Sequence, residues 1–505
     1  MKVFIGMIVF LFGSVAGIYA DAPDTLWTRL YGSPGHDFSG SVVSTEDGFF
    51  VAGTKNYPDG DLWLLKTNFQ GDTLWTRTYG GEWNDGASSA EQTSDGGFIV
   101  SGLLQITPGE IGEGGTWAIW LLKINASGDT AWTRTFDVSY SVNDSALDLG
   151  DYMQTSARQT SDGGYVLTGL SEWNDTSGYD FLLIKTDSFG NQGWRRTYGG
   201  NATDVSVCVL ETSDTSYVLA GSTTILGEAA GQLMIVDSKG DSLFAATYSH
   251  GISGRDVVKC AIQTSDGGFM LVGKAQPVYD MDNRVWLIKT GSDGDTSWTR
   301  TYGEGEITGG SDVLEISAGG TDGYLVAGVL NSGDERTTAW LLRTDTSGDS
   351  LWSLALGDSN GRAEFSKIRK TPDGGCIIAG DKVTDETHWD IWLVRTDYCN
   401  EIVNNGLGCG NTPQHCILQQ NVPNPFNERT LITYELQQRY QVSLKIFNLL
   451  GQEVRSLVNE RQLAGEYTIS WDGRNDRGLD VATGIYFCRL QAGEYAQTVK
   501  MVLLR

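Results

Sequence analysis

The stretch Gln159–Gly200, QTSDGGYVLTGLSEWNDTSGYDFLLIKTDSFGNQGWRRTYGG, is one copy of a unit that the chain repeats seven times with small variations. The repeat period of roughly 50 residues indicates an array of identical supersecondary units. Each unit contains four short β-branched or aromatic segments, which are separated by turns rich in Gly and Asp, with no helical segment between them. The repeat therefore predicts an all-β array of four-stranded units.

Two of the four segments recur most closely. The third is of the type Trp-Leu-Leu-Lys-Thr and is led by Trp63, Trp120, Trp286, Trp340 and Trp392. The fourth is of the type Trp-Thr-Arg-Thr-Tyr and begins at Trp75, Trp132, Trp194, Trp298 and, in degraded form, Trp352. Four strands in each of seven units predict a seven-bladed β-propeller over residues 21–398.

The ends of the array predict how the ring closes. The array begins with a fourth-strand sequence, Leu26–Tyr31, that follows no third strand. It ends with a third strand, Asp390–Thr396, that no fourth strand follows. We therefore expect the N-terminal strand to complete the last blade. Residues 399–416 have the composition of a linker, and the alternating strands of residues 417–505 predict an Ig-like β-sandwich.

Residues 1–20 have the pattern of a signal peptide. Lys2 is followed by the apolar run Val3–Phe12 and by small residues that precede a cleavage position after Ala20. The apolar run of about ten residues is too short to span a bilayer, and we expect no transmembrane helix later in the chain. This pattern predicts a secreted protein.

The formal net charge of −27 limits the possible partners. The acidic residues are spread evenly through the loops, which argues against a nucleic-acid partner because phosphates require a basic face. The same charge argues against binding to anionic lipid. A solvated acidic surface is the simplest interpretation, and diffuse calcium binding is the alternative.

The seven cysteines are few for a disulfide scaffold. Cys208 and Cys260 each lie six residues before the Asp of the repeat turn, a position that Ser41, Ser89 and Ser156 occupy in other units. We therefore expect both to be buried free thiols. Cys399, Cys409 and Cys416 lie close together in the linker, where an oxidising compartment favours one short disulfide of undetermined connectivity.

The C-terminal segment carries six motifs in order: Pro423–Phe426, Leu444–Gly451, Ala464–Tyr467, Trp471–Arg474, Ala482–Phe487 and Lys500–Leu503. Together they resemble the C-terminal sorting domain of bacterial type IX secretion cargo, which is similar to the Ig-like domain of flagellar hook-capping proteins. The resemblance implies export across an outer membrane by a dedicated machinery and attachment to the cell surface. A plain accessory Ig-like module is the alternative.

The propeller repeat also resembles known families. The turns Asp187–Trp194 and Asp345–Trp352 look like the docking repeats of quinoprotein propellers. The pattern of the repeat is also similar to that of kelch-like propellers. The resemblance implies that the Trp residues pack between blades. It does not extend to the quinone, because the chain has no vicinal cysteine pair, and we expect no cofactor.

Most recurring polar residues are expected to be structural. Arg29, Arg77, Arg134, Arg196 and Arg300 each follow the fourth-strand Trp by two residues, hence on the same strand face. The turn residues Asp95, Asp162, Asp266 and Asp373 supply one carboxylate per turn, whereas calcium binds six to eight oxygens. Turn chemistry accounts for them better than a metal site does.

The function is expected on the face with long, irregular loops, because binding residues usually lie on loops that a rigid scaffold supports. The candidate ligand-binding residues are the loop aromatics Trp83, Tyr140, Trp173, Tyr279 and Trp389. His36 and His388 are candidates for a metal pair, with solvated loop histidines as the alternative. No nucleophile–base pair or carboxylate pair stands out, so we predict no catalytic residue.

These features predict a secreted β-propeller at the bacterial cell surface that acts as a binding or adhesion module for a glycan or protein. The alternatives are an extracellular enzyme that acts on polysaccharide at the loop-rich face, and a structural envelope protein. Convergence of several titratable groups in one pocket would favour the enzyme.

Overall fold

A computed structural model describes residues 25–58, 60–107, 116–138, 154–171, 178–225, 228–250, 256–276, 283–303, 307–317, 322–331, 337–357, 362–384 and 388–398. In the C-terminal part it describes residues 417–418, 421, 423–424, 426–427, 429–436, 440–448, 452–462, 465–492 and 495–504. The described residues form strands and connections, and none of them belongs to a helix that could cross a membrane. The predicted signal peptide and the linker residues 399–416 lie outside these ranges.

The fold begins with β1 (Thr25–Tyr31), which is followed by three sheets of sequential strands. The first contains β2 (His36–Thr45), β3 (Gly48–Tyr57), β4 (Asp61–Thr67) and β5 (Thr73–Tyr79). The second contains β6 (Asp85–Gln92), β7 (Phe98–Gln105), β8 (Trp117–Ile124) and β9 (Thr130–Val138). The third contains β10 (Ser156–Gln159), β11 (Tyr165–Leu170), β12 (Phe181–Thr186) and β13 (Gln192–Tyr198).

Three further sheets repeat the pattern. The fourth contains β14 (Asp204–Glu211), β15 (Tyr217–Ile225), β16 (Glu228–Val236) and β17 (Ser242–Tyr248). The fifth contains β18 (Val257–Gln263), β19 (Phe269–Ala275), β20 (Arg284–Thr290) and β21 (Thr296–Tyr302). The sixth contains β22 (Ile307–Ile316), β23 (Gly323–Asn331), β24 (Thr337–Asp345) and β25 (Ser350–Leu356).

The seventh sheet is assembled from both ends of the array. Its strands β26 (Ala363–Lys370), β27 (Gly375–Val383) and β28 (Trp389–Tyr398) are sequential, and β1 pairs with β28 as the fourth strand. The first strand of every sheet packs against the preceding sheet, and β2 of the first sheet packs against β26, β27 and β28. This arrangement of four-stranded antiparallel sheets is that of a β-propeller.

The third strand of each sheet is almost fully buried because a neighbouring sheet covers each of its faces. All but the first residue of β4 and all residues of β8 and β12 are buried. Aromatic rings fill the space between sheets, as in the pair Phe50 and Phe98, whose ring centroids lie 3.9 Å apart. Burying such strands on both faces is possible only within an array.

A clamp on the outer strands joins consecutive sheets. Trp75 of β5 packs on Gly128 in the tight turn after β8, where an added Cβ would lie 2.9 Å from the indole ring. Gly128 also has a φ of +85°, which disfavours any side chain. Tyr79 lies four residues after Trp75 on the same strand, and its hydroxyl donates a hydrogen bond to the Gly128 carbonyl at 2.6 Å. The turn glycine of the second sheet therefore contacts both the tryptophan and the tyrosine of the first sheet.

The same clamp recurs around the array. Tyrosine hydroxyls donate to the turn carbonyl of the following sheet in four further pairs: Tyr31–Gly71, Tyr198–Gly240, Tyr248–Gly294 and Tyr302–Gly348. The recurring arginines lie over the indoles of the same strands, with guanidinium carbons 5.5–5.8 Å from the ring centroids. The expectation that these arginines are structural agrees with this geometry.

The degraded repeat at Trp352 has a structural reason. In β25 the clamp residues Arg and Tyr are replaced by Leu354 and Leu356. The next sheet is the seventh, whose third and fourth strands come from opposite ends of the array and share no turn. Because the seventh sheet offers no turn glycine, an arginine and a tyrosine on β25 would have no clamp contact to make.

A second recurring device holds the turn between the first two strands of a sheet. A buried cation on the third strand pairs with the turn aspartate in Lys66–Asp47, Lys123–Asp95, Lys185–Asp162, Lys289–Asp266 and Arg395–Asp373. Burial alone would raise the pKa of Asp95, but the hydrogen bonds from Thr93 and Lys123 outweigh it and lower that pKa to about 2. These aspartates hold turns and buried lysines together.

The cysteines are largely as the sequence predicts. Cys208 and Cys260 are free and buried, as is Cys488. Cys376 of β27, for which the sequence predicts no bridge, is disulfide-bonded. The linker cysteines Cys399, Cys409 and Cys416 lie outside the described residues.

The C-terminal unit, residues 405–505, is compact by itself. One sheet pairs β29 (Ile417–Leu418), β30 (Thr430–Leu436) and β33 (Gly465–Trp471). The other pairs β32 (Glu453–Gln462), β31 (Tyr440–Asn448), β34 (Gly484–Ala492) and β35 (Tyr495–Leu503) in that order. Its core includes Trp471, Tyr434 and Cys488, and the Trp471 indole donates to the Arg474 carbonyl at 3.0 Å. The unit has the Ig-like architecture that the sequence predicts.

The clamp predicts a specific loss of stability. Substitution Tyr79→Phe removes one hydrogen bond between the first two sheets and keeps the ring, so we expect the free energy of unfolding to fall by about 1 kcal/mol. Urea denaturation followed by tryptophan fluorescence measures the change. The control is Tyr57→Phe, because Tyr57 is 44% exposed and the change leaves its ring contacts intact. An equal loss in both variants would contradict the clamp.

Candidate functional site

Five aromatic side chains meet where β2 and β28 begin and β3 ends. We call them the aromatic cluster: His36, Phe38, Tyr57, His388 and Trp389. The ring centroids of His36 and His388 lie 5.7 Å apart, and those of Phe38 and Trp389 lie 6.4 Å apart. Phe38 also stacks on His36 at 6.1 Å and meets the edge of Tyr57 at 5.8 Å. The cluster joins the first and seventh sheets on the loop-rich face.

Backbone contacts hold this cluster in place. The Trp389 amide donates to His36 Nδ1 at 3.3 Å, so His36 presents an acceptor toward β28. Asp37 is fully buried and accepts hydrogen bonds from the amides of Ser33 at 2.5 Å and Asn56 at 3.0 Å. Asp37 thereby fastens the connection before β2 to the end of β3, which carries Tyr57.

A cavity of about 550 Å³ lies beside the cluster and is lined by Phe38, Thr337, Arg362, Glu364 and Trp389. Its walls come from the first, sixth and seventh sheets. The Thr337 hydroxyl oxygen is buried and makes no hydrogen bond within the described residues. The cavity therefore combines two aromatic faces with a guanidinium, a carboxylate and a hydroxyl that is left without a hydrogen bond among the described residues.

The carboxylate of this cavity has a buried acidic neighbour. Glu364 on β26 lies directly opposite Asp381 on β27, and both line a second cavity of about 350 Å³. Burial, and then the charge of Glu364, raise the pKa of Asp381 well above its usual range. The Ser39 amide donates to Asp381 at 2.7 Å, which opposes that rise. Asp381 therefore favours its protonated form, and Glu364 is an ionisable carboxyl group beside it.

The structure describes only some of the predicted site residues. It brings Trp389, His36 and His388 together. Trp83 is half-buried in the connection between β5 and β6 and does not line the cavity. Tyr140, Trp173 and Tyr279 lie outside the described residues.

The two histidines contribute their rings to the aromatic cluster. Within the described ranges, no group of three or more His, Cys, Asp or Glu side chains is placed to hold a metal ion. His36 instead accepts a backbone hydrogen bond and stacks on Phe38. The imidazoles belong to the aromatic wall.

Sequence reasoning missed Phe38, Arg362, Glu364 and Thr337. Phe38 and Glu364 occupy the same repeat position, three residues before the serine or cysteine position described above. Other units carry Gly86, Met153, Val205, Val257 and Gly309 there. A large aromatic and a carboxylate at a position of small or aliphatic residues, in two adjacent sheets, was the available signal.

Comparison with known families identifies one segment. Residues 427–495 match the FlgD Ig-like domain family. The match confirms the resemblance of the C-terminal domain to the hook-capping Ig-like domain. No curated protein matches the chain.

Several solved structures have related folds. PorZ, described as a surface component of the type IX secretion system of Porphyromonas gingivalis, is 11% identical, with 95% of this chain and 70% of that chain covered and a TM-score of 0.30. The β-propeller domain of the Trilobed protease from Pyrococcus furiosus is 11% identical, with 73% and 98% covered and a TM-score of 0.39. An α-L-arabinanase from Penicillium chrysogenum is 11% identical, with 60% and 91% covered and a TM-score of 0.37. At such scores none of these similarities bears on function.

Proposed function

We propose that this protein binds a glycan in the cavity beside the aromatic cluster. The observation that supports this most is the pairing of two aromatic faces, Phe38 and Trp389, with polar groups at one edge of the cavity. Sugar rings present apolar C–H faces that pack on aromatic rings and hydroxyls that need donors and acceptors. Arg362 supplies donors, Glu364 supplies acceptors, and Thr337 supplies both.

The size of the cavity also supports a glycan over a flat protein surface. A volume of about 550 Å³ lies within the range of small-molecule pockets, which are concave and mostly apolar with few polar groups. A protein ligand would need a broader contact area than this cavity offers. The aromatic cluster is supported on strand ends rather than on loop tips, which keeps its rings in place.

The binding proposal predicts a defined loss. A glycan array with the full chain is expected to give saturable binding, and Trp389→Ala is expected to weaken it about tenfold or more, since an aromatic contact is worth about 1.5 kcal/mol. Trp83→Ala is the matched control, because Trp83 lies on the same face outside the cavity. Isothermal titration with the best glycan measures both.

Equal losses in the Trp389→Ala and Trp83→Ala variants would reject this cavity as the site. Absence of saturable binding by the wild type would reject glycan binding itself.

A second candidate function is glycoside hydrolysis, which the pairing of Glu364 with Asp381 favours. A carboxyl group that keeps its proton can act as a general acid while a neighbouring carboxylate assists, and two such groups are the usual requirement of glycosidases. Asp381 would donate the proton and Glu364 would act as the ionised partner. The deep burial of Asp381 is the reason that we rank binding first.

A single substitution at Glu364 distinguishes hydrolysis of the glycan from binding alone. Glu364→Gln keeps the size and shape of the side chain but removes its charge. If the protein hydrolyses the glycan, reducing-end release falls at least a hundredfold while affinity changes less than tenfold. If the wild type releases no reducing ends from a glycan that it binds, the hydrolytic function is rejected and binding stands.

We also infer that the seven sheets are the blades of one closed ring and that the protein works at the bacterial cell surface. The pairing of β1 with β28 and the bond of Tyr31 to Gly71 support closure. The signal-peptide pattern of residues 1–20 and the match of residues 427–495 to the FlgD Ig-like family support export through the C-terminal domain.

The export proposal predicts the mature ends of the protein. Fractionation of native cells followed by mass spectrometry is expected to find the propeller in the surface fraction, beginning after Ala20 and lacking the Ig-like domain. A periplasmic marker protein controls the fractionation. An intact C-terminal domain on protein in the medium would reject surface attachment and leave an accessory module.

A further inference from the structure

The first strands of the seven sheets place one equivalent side chain each around a central cavity. In six of these strands a β-bulge precedes the position. We call the residues there the channel ring: Ser41, Ser89, Ser156, Cys208, Cys260, Asp312 and Lys367. All seven line a cavity of about 210 Å³. The ring is thus three serines, two adjacent cysteines, an aspartate and a lysine.

Most members of the channel ring fasten onto the next sheet. The Ser41 hydroxyl donates to the Ala90 carbonyl at 3.4 Å, and Ser89 accepts from the Ala157 amide at 3.1 Å. Asp312 accepts from the Ile368 amide at 2.9 Å. A serine at this position is therefore sufficient for the structural role, and two cysteines side by side call for a further explanation.

The two thiols lie beside the same backbone carbonyl, that of Ala261. Cys208 Sγ donates to the Ala261 carbonyl at 3.5 Å, and Cys260 Sγ donates to Asp312 Oδ1 at 3.0 Å. Cys260 Sγ also lies 3.8 Å from the Ala261 carbonyl oxygen, so both sulfur atoms are within reach of one carbonyl group. They belong to the fourth and fifth sheets, and each is 7% exposed, toward the cavity that both line.

The charges that line this cavity act differently on the two thiols. They are Arg158, Lys259, Lys367, Arg369 and Asp312. The neighbouring Cys260 thiol, followed by the positive charge of Arg158, lowers the pKa of Cys208 to about 6 against the effect of burial. The neighbouring Cys208 thiol, burial and the Asp312 carboxylate raise the pKa of Cys260. One thiol is therefore set up to ionise and its neighbour to keep its proton.

We propose that Cys208 and Cys260 are a peroxide-reactive thiol pair that forms a disulfide between the fourth and fifth sheets. The Cys208 thiolate attacks one oxygen of hydrogen peroxide, the O–O bond breaks and hydroxide leaves, which yields a sulfenic acid at Cys208. The Cys260 sulfur then attacks Cys208 Sγ, the S–O bond breaks, and water leaves with the proton of Cys260. Overall, two thiols are oxidised and one peroxide is reduced to two waters.

The geometry favours peroxide as the oxidant. Larger disulfide reagents would have to enter a cavity of about 210 Å³, whereas hydrogen peroxide is close to water in size. A thiolate beside a resolving thiol is the usual arrangement of redox-sensitive cysteines. The pair lies on the first strands, away from Trp389, and the proposal does not depend on glycan binding.

The test uses the full chain treated with hydrogen peroxide at pH 7, followed by alkylation under denaturing conditions and peptide mapping. We expect a peptide that links Cys208 to Cys260 and that dithiothreitol separates. Cys260→Ser is expected to stop at the sulfenic acid, which dimedone labels on Cys208. Cys208→Ser is expected to leave Cys260 reduced. Serine at both positions is compatible with the fold, because Ser41, Ser89 and Ser156 occupy the same position in other sheets.

Cys488 is the internal control, because it is a buried free thiol whose pKa burial raises to about 12. We expect Cys208 to react at least a hundredfold faster than Cys488, with a rate that rises with pH around a midpoint near 6. Oxidation of Cys208 and Cys488 at the same rate would overturn the proposal. So would dimedone labelling of Cys260 instead of Cys208, or absence of the linked peptide in protein that circular dichroism shows to be folded.

Discussion

The clamp between consecutive sheets is the interaction on which the propeller depends. One turn glycine with a left-handed backbone receives the indole of the preceding sheet, and its carbonyl accepts a tyrosine hydroxyl. No sheet can bury both faces of its third strand alone, so each must hold its neighbour at a fixed distance. The clamp fixes that distance at the rim, and the channel ring fixes it at the centre.

The clamp also explains an irregularity of the repeat. The seventh sheet takes its fourth strand from the N-terminal end of the array and therefore has no turn glycine. The sixth sheet, which would clamp that turn, carries Leu354 and Leu356 in place of arginine and tyrosine. The first sheet does have its turn glycine, Gly71, and Tyr31 of β1 clamps it. In the sixth sheet, the departure from the repeat therefore coincides with the absence of this partner.

Two places on this scaffold depart from the repeat in a way that the scaffold does not require. At the edge of the loop-rich face, Phe38 and Glu364 stand where other units have glycine, valine or methionine, and they line a cavity with Trp389. At the centre, Cys208 and Cys260 stand where serine is sufficient. The repeated residues account for stability, and these substitutions at repeated positions carry the two proposed chemistries.

The repeat, its strand types and the structural role of the Trp and Arg series could be predicted from the sequence, because each depends on contacts that recur at a fixed spacing. Pairing of β1 with β28 could also be anticipated, since the array begins with one strand type and ends with another. The aromatic cluster could be predicted only in part. Trp389, His36 and His388 were recognisable as loop residues, but Phe38, Arg362, Glu364 and Thr337 sit at strand starts that the repeat makes inconspicuous.

The sequence by itself determined the all-β array, its four-stranded units and the Ig-like C-terminal domain, because period, alternation and turn chemistry are local properties of the chain. Only the tertiary structure decided which departures from the repeat meet. His36 and Trp389 are more than 350 positions apart and touch because β1 joins β28. Cys208 and Cys260 lie beside the same carbonyl, that of Ala261, because the first strands of successive sheets line one cavity. Contacts of that kind depend on how sheets that are distant in sequence pack together, and they have no local signature.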